Sequence, residues 1–416
     1  MLSLMETKLP DSVPTFVSLF AGAGGLDLGL EAAGWRCAYA SDNYGPAVET
    51  LQANAGRHTG NRRSAFASAM IEQADVTGLT PGDVLSRAGL CRGGAQLLAG
   101  GPPCQSWSSA GHQRGFDDPR GRLFDDFVRI ANGLDVRWLI VENVRGLLTA
   151  RGADGQPGSA LASIRKRLLD VGFQTAVSLL NAADYGVAQR RVRLFIIGFR
   201  SGDVPHFPVP THARLSNDRQ VKGWVTLGQA LASISPLTGD EVIRPNARLE
   251  AELADIGPGS GIKSPGKSER TRPGGHWGYK QGCFVADIMQ SARTVTASPQ
   301  QDWIRDPVHG MRRLTPRECA ALQGFSPDWR FIGSAATRYK LIGNAVPPPL
   351  GQAIGAALLR QIDPNPASPP DLRELLPLPP KLQSHIRYTE REEASNGASR
   401  RCGLARRNIP PAATGA

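Results

Sequence analysis

The segment that most limits the fold is Phe16-Val17-Ser18-Leu19-Phe20, which runs into Ala21-Gly22-Ala23-Gly24-Gly25 and then an amphipathic pattern through Ala33. A short apolar run of this kind reads as a buried strand. The glycines after it let the chain turn sharply and bring backbone close to a ligand. A second apolar run, Cys37-Ala38-Tyr39-Ala40-Ser41, ends at Asp42, where an acid can accept hydrogen bonds from ribose hydroxyls. The glycines do not keep the G-x-G-x-x-G spacing of dinucleotide folds, and no Gly-Lys-Ser/Thr follows to make a phosphate loop. Taken alone, the turn fits a structural role equally well.

Further strand-like runs lie at 96–99, 138–141 and 193–198, with helical patterns at 123–134 and 161–169 between them. Buried strands separated by helices predict an α/β fold over residues 15–200: a doubly wound, mostly parallel sheet with helices on both faces. Residues 201–292 become rich in Pro, Gly, Ser and Arg with weak periodicity, which predicts a smaller, loop-rich second domain. Order returns over 293–360, with Arg293-Thr294-Val295-Thr296, a helix at 315–322 and another at 347–360. Residues 361–416 are Pro-rich, then Arg-rich, and are expected to form a disordered tail.

The 416 residues carry a formal net charge of +11, which suits a polyanionic partner. The basic residues are spread along the chain, so charge alone leaves an ordinary basic protein equally open. Cys37, Cys91, Cys104, Cys283, Cys319 and Cys402 form no C-x-x-C pair and have no His pair at zinc spacing, so no metal is expected. Scattered cysteines fit a reducing compartment. Residues 1–10 lack the apolar core of a signal peptide, and no apolar run approaches a membrane span. A cytoplasmic protein is expected.

Cys104 stands out among the cysteines. It follows two prolines in Gly101-Pro102-Pro103-Cys104-Gln105, just after a strand. The prolines restrict the backbone, and doubly wound sheets place their sites at the carboxyl ends of strands. A thiolate there is a strong nucleophile, although an isolated cysteine is more often buried and inert. The polar loop at 105–122, with Arg114, Arg120 and Arg122, reads as a lid with groups that can meet phosphates. Glu142 ends the strand at 138–141 on the same edge, where burial can raise its pKa and let it donate a proton. Arg191 and Arg193, in Gln189-Arg190-Arg191-Val192-Arg193, share one strand face by alternation. Phe20 can stack on an adenine or lie against a sulfonium. For Glu142 and the arginines, solvent-exposed loop positions are the competing reading.

These pieces occur in one order: Phe-x-Gly-x-Gly-Gly, Gly-Pro-Pro-Cys-Gln, Glu-Asn-Val and Gln-Arg-Arg-x-Arg. Arg313-Leu314-Thr315-Pro316-Arg317-Glu318, Leu322-Gln323-Gly324-Phe325 and Gly343-Asn344-Ala345-Val346-Pro347 follow. The chain resembles the cytosine-C5 DNA methyltransferase family across roughly 15–200 and 293–360.

The resemblance implies an S-adenosylmethionine-dependent methyltransferase fold with a smaller target-recognition domain at 201–292. It implies transfer of a methyl group from S-adenosylmethionine to cytosine C5 in duplex DNA, the reaction of a DNA (cytosine-5-)-methyltransferase. By similarity, Cys104 attacks carbon 6 of a flipped-out cytosine, Glu142 bonds to N3 and the amino group, and Arg191 and Arg193 hold the base. Phe20, Gly22, Gly24, Asp42, Asp75, Pro103, Asn344 and Ala345 match the cofactor positions, with Asp75 for adenine and Pro103 near the methyl. Residues 293–360 match a C-terminal segment that returns to the catalytic domain. Residues 270–280 combine basic and aromatic side chains and are expected to touch DNA, or else to form a Gly-rich structural loop. A monomer associated with the nucleoid through DNA, with a cognate restriction endonuclease, follows as an expectation. Two alternatives remain: a relative acting on RNA, and a DNA-binding protein on the same fold without activity. Retention of Cys104, Glu142, Arg191 and Arg193 together argues against the second.

Overall fold

The structure, a computed structural model, describes residues 13–57, 65–103, 119–215, 220–268, 277–362 and 371–391. Seven strands form the central sheet: β1 (Thr15–Leu19), β2 (Arg36–Asp42), β3 (Met70–Gln73), β4 (Leu97–Gly100), β5 (Trp138–Val144), β6 (Gln174–Asn181) and β7 (Val192–Phe199). Their order is β3-β2-β1-β4-β5-β7-β6. The chain winds outward from β1 through β2 to β3, then returns to β4 on the other side of β1. That reversal leaves a crevice at the carboxyl ends of β1 and β4, where doubly wound sheets take ligands.

Helices α1 (Gly25–Ala33), α2 (Gly45–Asn54), α3 (Pro81–Ala88), α4 (Pro119–Leu134) and α5 (Ser159–Asp170) connect the parallel strands. Alternation sends neighbouring side chains to opposite faces. Phe16, Leu97 and Ile140 enter one core, while Val17, Leu98 and Leu139 enter the other. Both faces are therefore covered, which explains why the strands read as continuous apolar runs rather than alternating ones.

The sheet departs from parallel at β7, which runs antiparallel to both β5 and β6. The strand therefore begins at the edge where β5 ends, with Arg193 opposite Val144.

The region after β7 holds β8 (His212–Ala213), β9 (Lys222–Gly223), α6 (Leu227–Leu231), α7 (Ala247–Ala254), β10 (Ser260–Ser268) and β11 (Trp277–Val285). β12 (Trp303–Asp306) and β13 (Gly310–Arg313) extend the sheet of β10 and β11 to four strands. Leu253, Val285 and Trp303 make a small core against it. The sheet crosses the boundary expected at 292. Strand propensity is split there by residues 293–302, and only pairing in space joins the halves. Arg293-Thr294-Val295-Thr296 is not part of a strand.

Beyond it come α8 (Pro316–Leu322), α9 (Ala335–Asn344) and α10 (Pro348–Leu359). α10 lies against α1, and a Cβ on Gly29 would fall 2.5 Å from the Pro348 carbonyl oxygen. The Trp35 indole donates to Gly355 O at 3.0 Å. The C-terminal segment thus returns to the first helix of the sheet.

The disordered tail expected from 361 needs correction over 371–391. Residues 380–391 are helical, Leu382 is buried in the core beneath α5, and Gln174 donates to the carbonyls of Asp371 and Glu374. A proline-rich composition hid a segment whose order comes from covering the edge strand β6. Among the described residues, no helix is long and apolar enough to cross a membrane.

Candidate active site

A cavity of about 540 Å³ opens at the crevice between β1 and β4. This falls within the range of cofactor sites. Its walls come from the Gly turn, the ends of β2, β4 and β5, the start of β7, and the α9–α10 junction.

At one end sits the turn after β1. Gly24 has φ +76°, a conformation that favours glycine, and packs behind the turn against Leu51 and Phe66. Gly25 is required by contact instead: a Cβ there would fall 2.1 Å from Val346 O. Asp42 ties the turn to β2. Its Oδ2 accepts from Gly22 N at 2.8 Å and its Oδ1 from Tyr44 N at 2.9 Å. Burial raises the Asp42 carboxyl, and these backbone donors and Lys340 pull it back. The Lys340 ammonium also lies 4.0 Å from the centre of the Tyr44 ring.

Phe20, Gly22, Asp42, Pro103, Asn344 and Ala345 all line the cavity. Gly24 supports the turn from behind and does not line it. Asp75 lies in a narrow side pocket that shares Phe20, Asp42 and Asn43 with the main cavity. It follows strand β3, and its Oδ1 accepts from Thr77 N at 3.0 Å. A four-residue strand with one buried position carries too little pattern to be read from sequence.

At the other end stand Glu142, Arg191 and Arg193, all lining the same cavity. Arg193 Nε is 3.2 Å from Glu142 Oε1, and both side chains are largely buried. Antiparallel pairing of β5 and β7 makes them diagonal neighbours. Burial raises the Glu142 carboxyl, while Arg193 and then Arg191 oppose the rise. Arg191 is 1% exposed, and its Nη1 donates to Val295 O at 3.2 Å. Burial and the charge of Arg193 push its pKa well below the usual arginine value. Asn143 Nδ2 donates to Pro102 O at 3.2 Å, fixing the Pro-Pro segment beside Glu142.

Cys104 lies outside the described residues, as do 105–118 with Arg114, and 270–276 within the segment expected to touch DNA. Pro103, immediately before Cys104, faces the cavity.

Two further residues tie the ends together. Gln189 Oε1 accepts from Val295 N at 3.0 Å, and its Nε2 donates to Gln323 Oε1 at 2.6 Å. Gln323 Nε2 donates in turn to Ile342 O at 2.7 Å. Both amides are fully buried. The relay runs from Val295, which holds Arg191, to the end of α9, beside Asn344 and Ala345. Nothing periodic marks a buried glutamine in sequence, and these two are 134 positions apart. Among the described residues, no cluster of three or more metal-ligating side chains occurs.

The family described as C-5 cytosine-specific DNA methylase matches residues 14–360. The Type II methyltransferase M.FnuDI of Fusobacterium nucleatum is 31% identical over 354 residues, covering 81% of this chain and 92% of the relative. The Type II methyltransferase M.NgoPII of Neisseria gonorrhoeae is 31% identical over 361 residues, covering 83% and 96%. Among solved structures, a DNA modification methyltransferase encoded within an Escherichia coli prophage aligns with a TM-score of 0.58 at 19% identity, covering 84% of this chain and 99% of the other. DNMT2 of Spodoptera frugiperda aligns at 0.56 and 16% identity, covering 83% and 98%. These two likenesses establish the fold.

Proposed function

This chain belongs to the C-5 cytosine-specific DNA methylase family and is a DNA cytosine-C5 methyltransferase, and we propose that it acts through reversible attack of Cys104 on carbon 6 of a flipped-out cytosine. The observation that carries this reading is the meeting of the Gly22–Asp42 turn and the Glu142–Arg193 pair on one cavity, with Pro103 between them. Members of the family depend on S-adenosylmethionine, and the donor set here suits it. Asp42, anchored by backbone, is placed to accept from ribose hydroxyls. Phe20 offers a ring face to the nucleoside, and Asn344 and Ala345 close over it. Asp75, in the side pocket, is placed toward the adenine. When bound, S-adenosylmethionine supplies a methyl group on a positively charged sulfur.

The remaining work falls to this chain's own side chains. Carbon 5 of cytosine is a weak nucleophile. Addition of the Cys104 thiolate at carbon 6 forms the S–C6 bond and moves ring electrons toward carbon 5. Glu142, raised by burial, holds a proton at N3 and balances the charge gathered on the ring. Arg193 steadies Glu142, and Arg191 presents a second positive group to the base. Once carbon 5 carries the transferred methyl group, loss of its proton to solvent and departure of the Cys104 thiolate re-form the C5–C6 double bond, and the N3 proton returns to Glu142. The target atom is out of reach inside a duplex, so the cytosine leaves the stack.

Residues 201–292, with the neighbouring β12 and β13, are proposed to read the target sequence, and residues 293–360 to complete the catalytic domain. The Type II relatives support a place in a restriction-modification system beside a companion endonuclease. Duplex DNA incubated with the chain and labelled S-adenosylmethionine should acquire label at cytosine C5, mapped by bisulfite sequencing. Transfer to tRNA with none to duplex DNA would overturn the reading.

A further inference from the structure

Asp27 is the third residue of α1 and is 1% exposed. It lines the cavity alongside Ser18, Gly25 and Leu26. Neither of its carboxylate oxygens meets a donor in full hydrogen-bond geometry among the described residues; the near donors, the Ser18 hydroxyl and the residue's own backbone N–H, lower its pKa without offsetting burial. A buried carboxylate left without donors is expensive, and native proteins almost always give such a group a partner. Burial pushes the Asp27 carboxyl up to about 7, against a partial lowering by Ser18 and its own backbone N–H, and the Asp42 charge adds to the rise. Lys340, whose ammonium is among the groups lining the cavity, lies over the Tyr44 ring.

We propose that Asp27 is the subsite for the α-ammonium group of the cofactor's amino-acid moiety, a role that rests on the S-adenosylmethionine reading above. The missing partner must be a donor, and to relieve a buried anion it must be positive. The cofactor carries two positive groups. The sulfonium has no hydrogen to donate, whereas the ammonium has three, enough to serve both oxygens of Asp27. The ribose hydroxyls are spoken for by Asp42 across the turn. Gly24, the N-cap of α1, makes no side-chain cap bond, so the N–H groups of Gly25 and Leu26 at the start of the helix are placed for the carboxylate of the same amino acid. The two halves of the zwitterion thus meet complementary groups within one helical turn.

The test is calorimetric and needs no turnover. S-adenosylhomocysteine and its desamino analogue, which lacks only the ammonium, are titrated into the wild-type chain and into Asp27→Asn. A charge-assisted pair of this kind is worth about 10- to 100-fold in affinity. The wild type should therefore prefer S-adenosylhomocysteine over the analogue by about that factor. Asp27→Asn should lose most of that preference while binding the desamino analogue nearly as well as the wild type. That second arm also reports that the variant is folded. Equal weakening of both ligands, or a wild type indifferent to the ammonium, would overturn the inference and leave the cofactor reading standing. Failure of the wild type to bind S-adenosylhomocysteine at all would overturn both.

Discussion

The two ends of the cavity solve the same problem in different ways. Each buries a carboxylate. At the nucleoside end, Asp42 is satisfied by two backbone N–H groups, from Gly22 and Tyr44. At the base end, Glu142 is satisfied by a guanidinium, with a second one, Arg191, buried beside it and its Nε lacking a partner. Backbone donors are fixed by the fold and do not titrate, so the first arrangement holds a shape. Side-chain charges can be rebalanced by a ligand or a proton, so the second is suited to chemistry. The difference teaches that binding and reaction are separable here, although they share walls.

The sharpest break between the two ends is Cys104→Ser. It removes the proposed nucleophile and leaves the Asp42 end untouched. Methyl transfer should fall by at least about 10³-fold, as losses of covalent nucleophiles do. Binding of S-adenosylhomocysteine should stay within about 2-fold of the wild type, since ligand contacts away from the change are preserved. Near-normal turnover in that variant would take Cys104 out of the mechanism.

Glu142→Gln comes next, at about 10²-fold in kcat, the usual worth of a positioned proton donor. Its pH profile is the more telling measurement. Burial raises the Glu142 carboxyl, and a group that must hold a proton stops working as the pH climbs through its raised pKa. The wild type should therefore lose kcat on the alkaline side, and the variant should lose that limb. A variant whose alkaline limb matches the wild type would assign the proton elsewhere.

A third measurement concerns Asp27, which belongs to neither arrangement because it has neither a pair of well-formed backbone hydrogen bonds nor a guanidinium. Its pKa in the fold is about 7, against 3.8 for the free side chain. A carboxyl raised on folding contributes stability that is fully present below the free value and is lost as the pH rises through the folded one. The unliganded chain should therefore be penalised at pH 8 relative to pH 5, by an amount on the order of a few kcal/mol. Glu31, one turn along α1 and also raised to about 7 by burial, feels the Asp27 charge and shares its fate. Asp27→Asn should melt higher than the wild type at pH 8, with the gap shrinking toward pH 5. The same gap at both values would mean that Asp27 is not strained in the fold.

What could be read from the sequence divides along the same line. Phe20, Gly22 and Asp42 lie within 23 positions and follow from a strand, a turn and the next strand. Their neighbourhood is local, so pattern suffices. Glu142 and Arg193 were legible as strand-end residues, but their contact depends on β7 running antiparallel, which alternation along the chain does not encode. Asp27 is silent in the sequence because an acid in the first turn of a helix is ordinary, and only the cavity makes its burial meaningful. The composition of 380–391 reads as disorder because the order of this helical segment comes from packing beneath α5 and against β6.

The smallest expected effect tests whether the ends are as separate as they look. The Gln189–Gln323 relay joins Val295, which holds Arg191, to Ile342 near Asn344 and Ala345, the residues proposed to close over the cofactor. Gln323→Leu keeps the volume roughly constant and deletes both the acceptor for Gln189 and the donor to Ile342. Each buried group left unpaired costs about 1–3 kcal/mol. Stability falls by that amount whether or not the relay matters for function, so melting temperature alone decides nothing. The deciding measurement is the split between kcat and KM. If the relay only braces the cofactor-closing segment, the KM for S-adenosylmethionine rises about 10-fold and kcat stays put, the pattern of lost uniform binding. If it also sets Arg191, kcat falls as well, and Gln189→Leu should lower kcat in step with it. Gln323→Glu is the companion variant: it keeps the acceptor for Gln189 but loses the donor to Ile342, so it should raise KM without lowering kcat. A Gln323→Leu enzyme with both constants unchanged would leave the two ends independent, each held by its own strand.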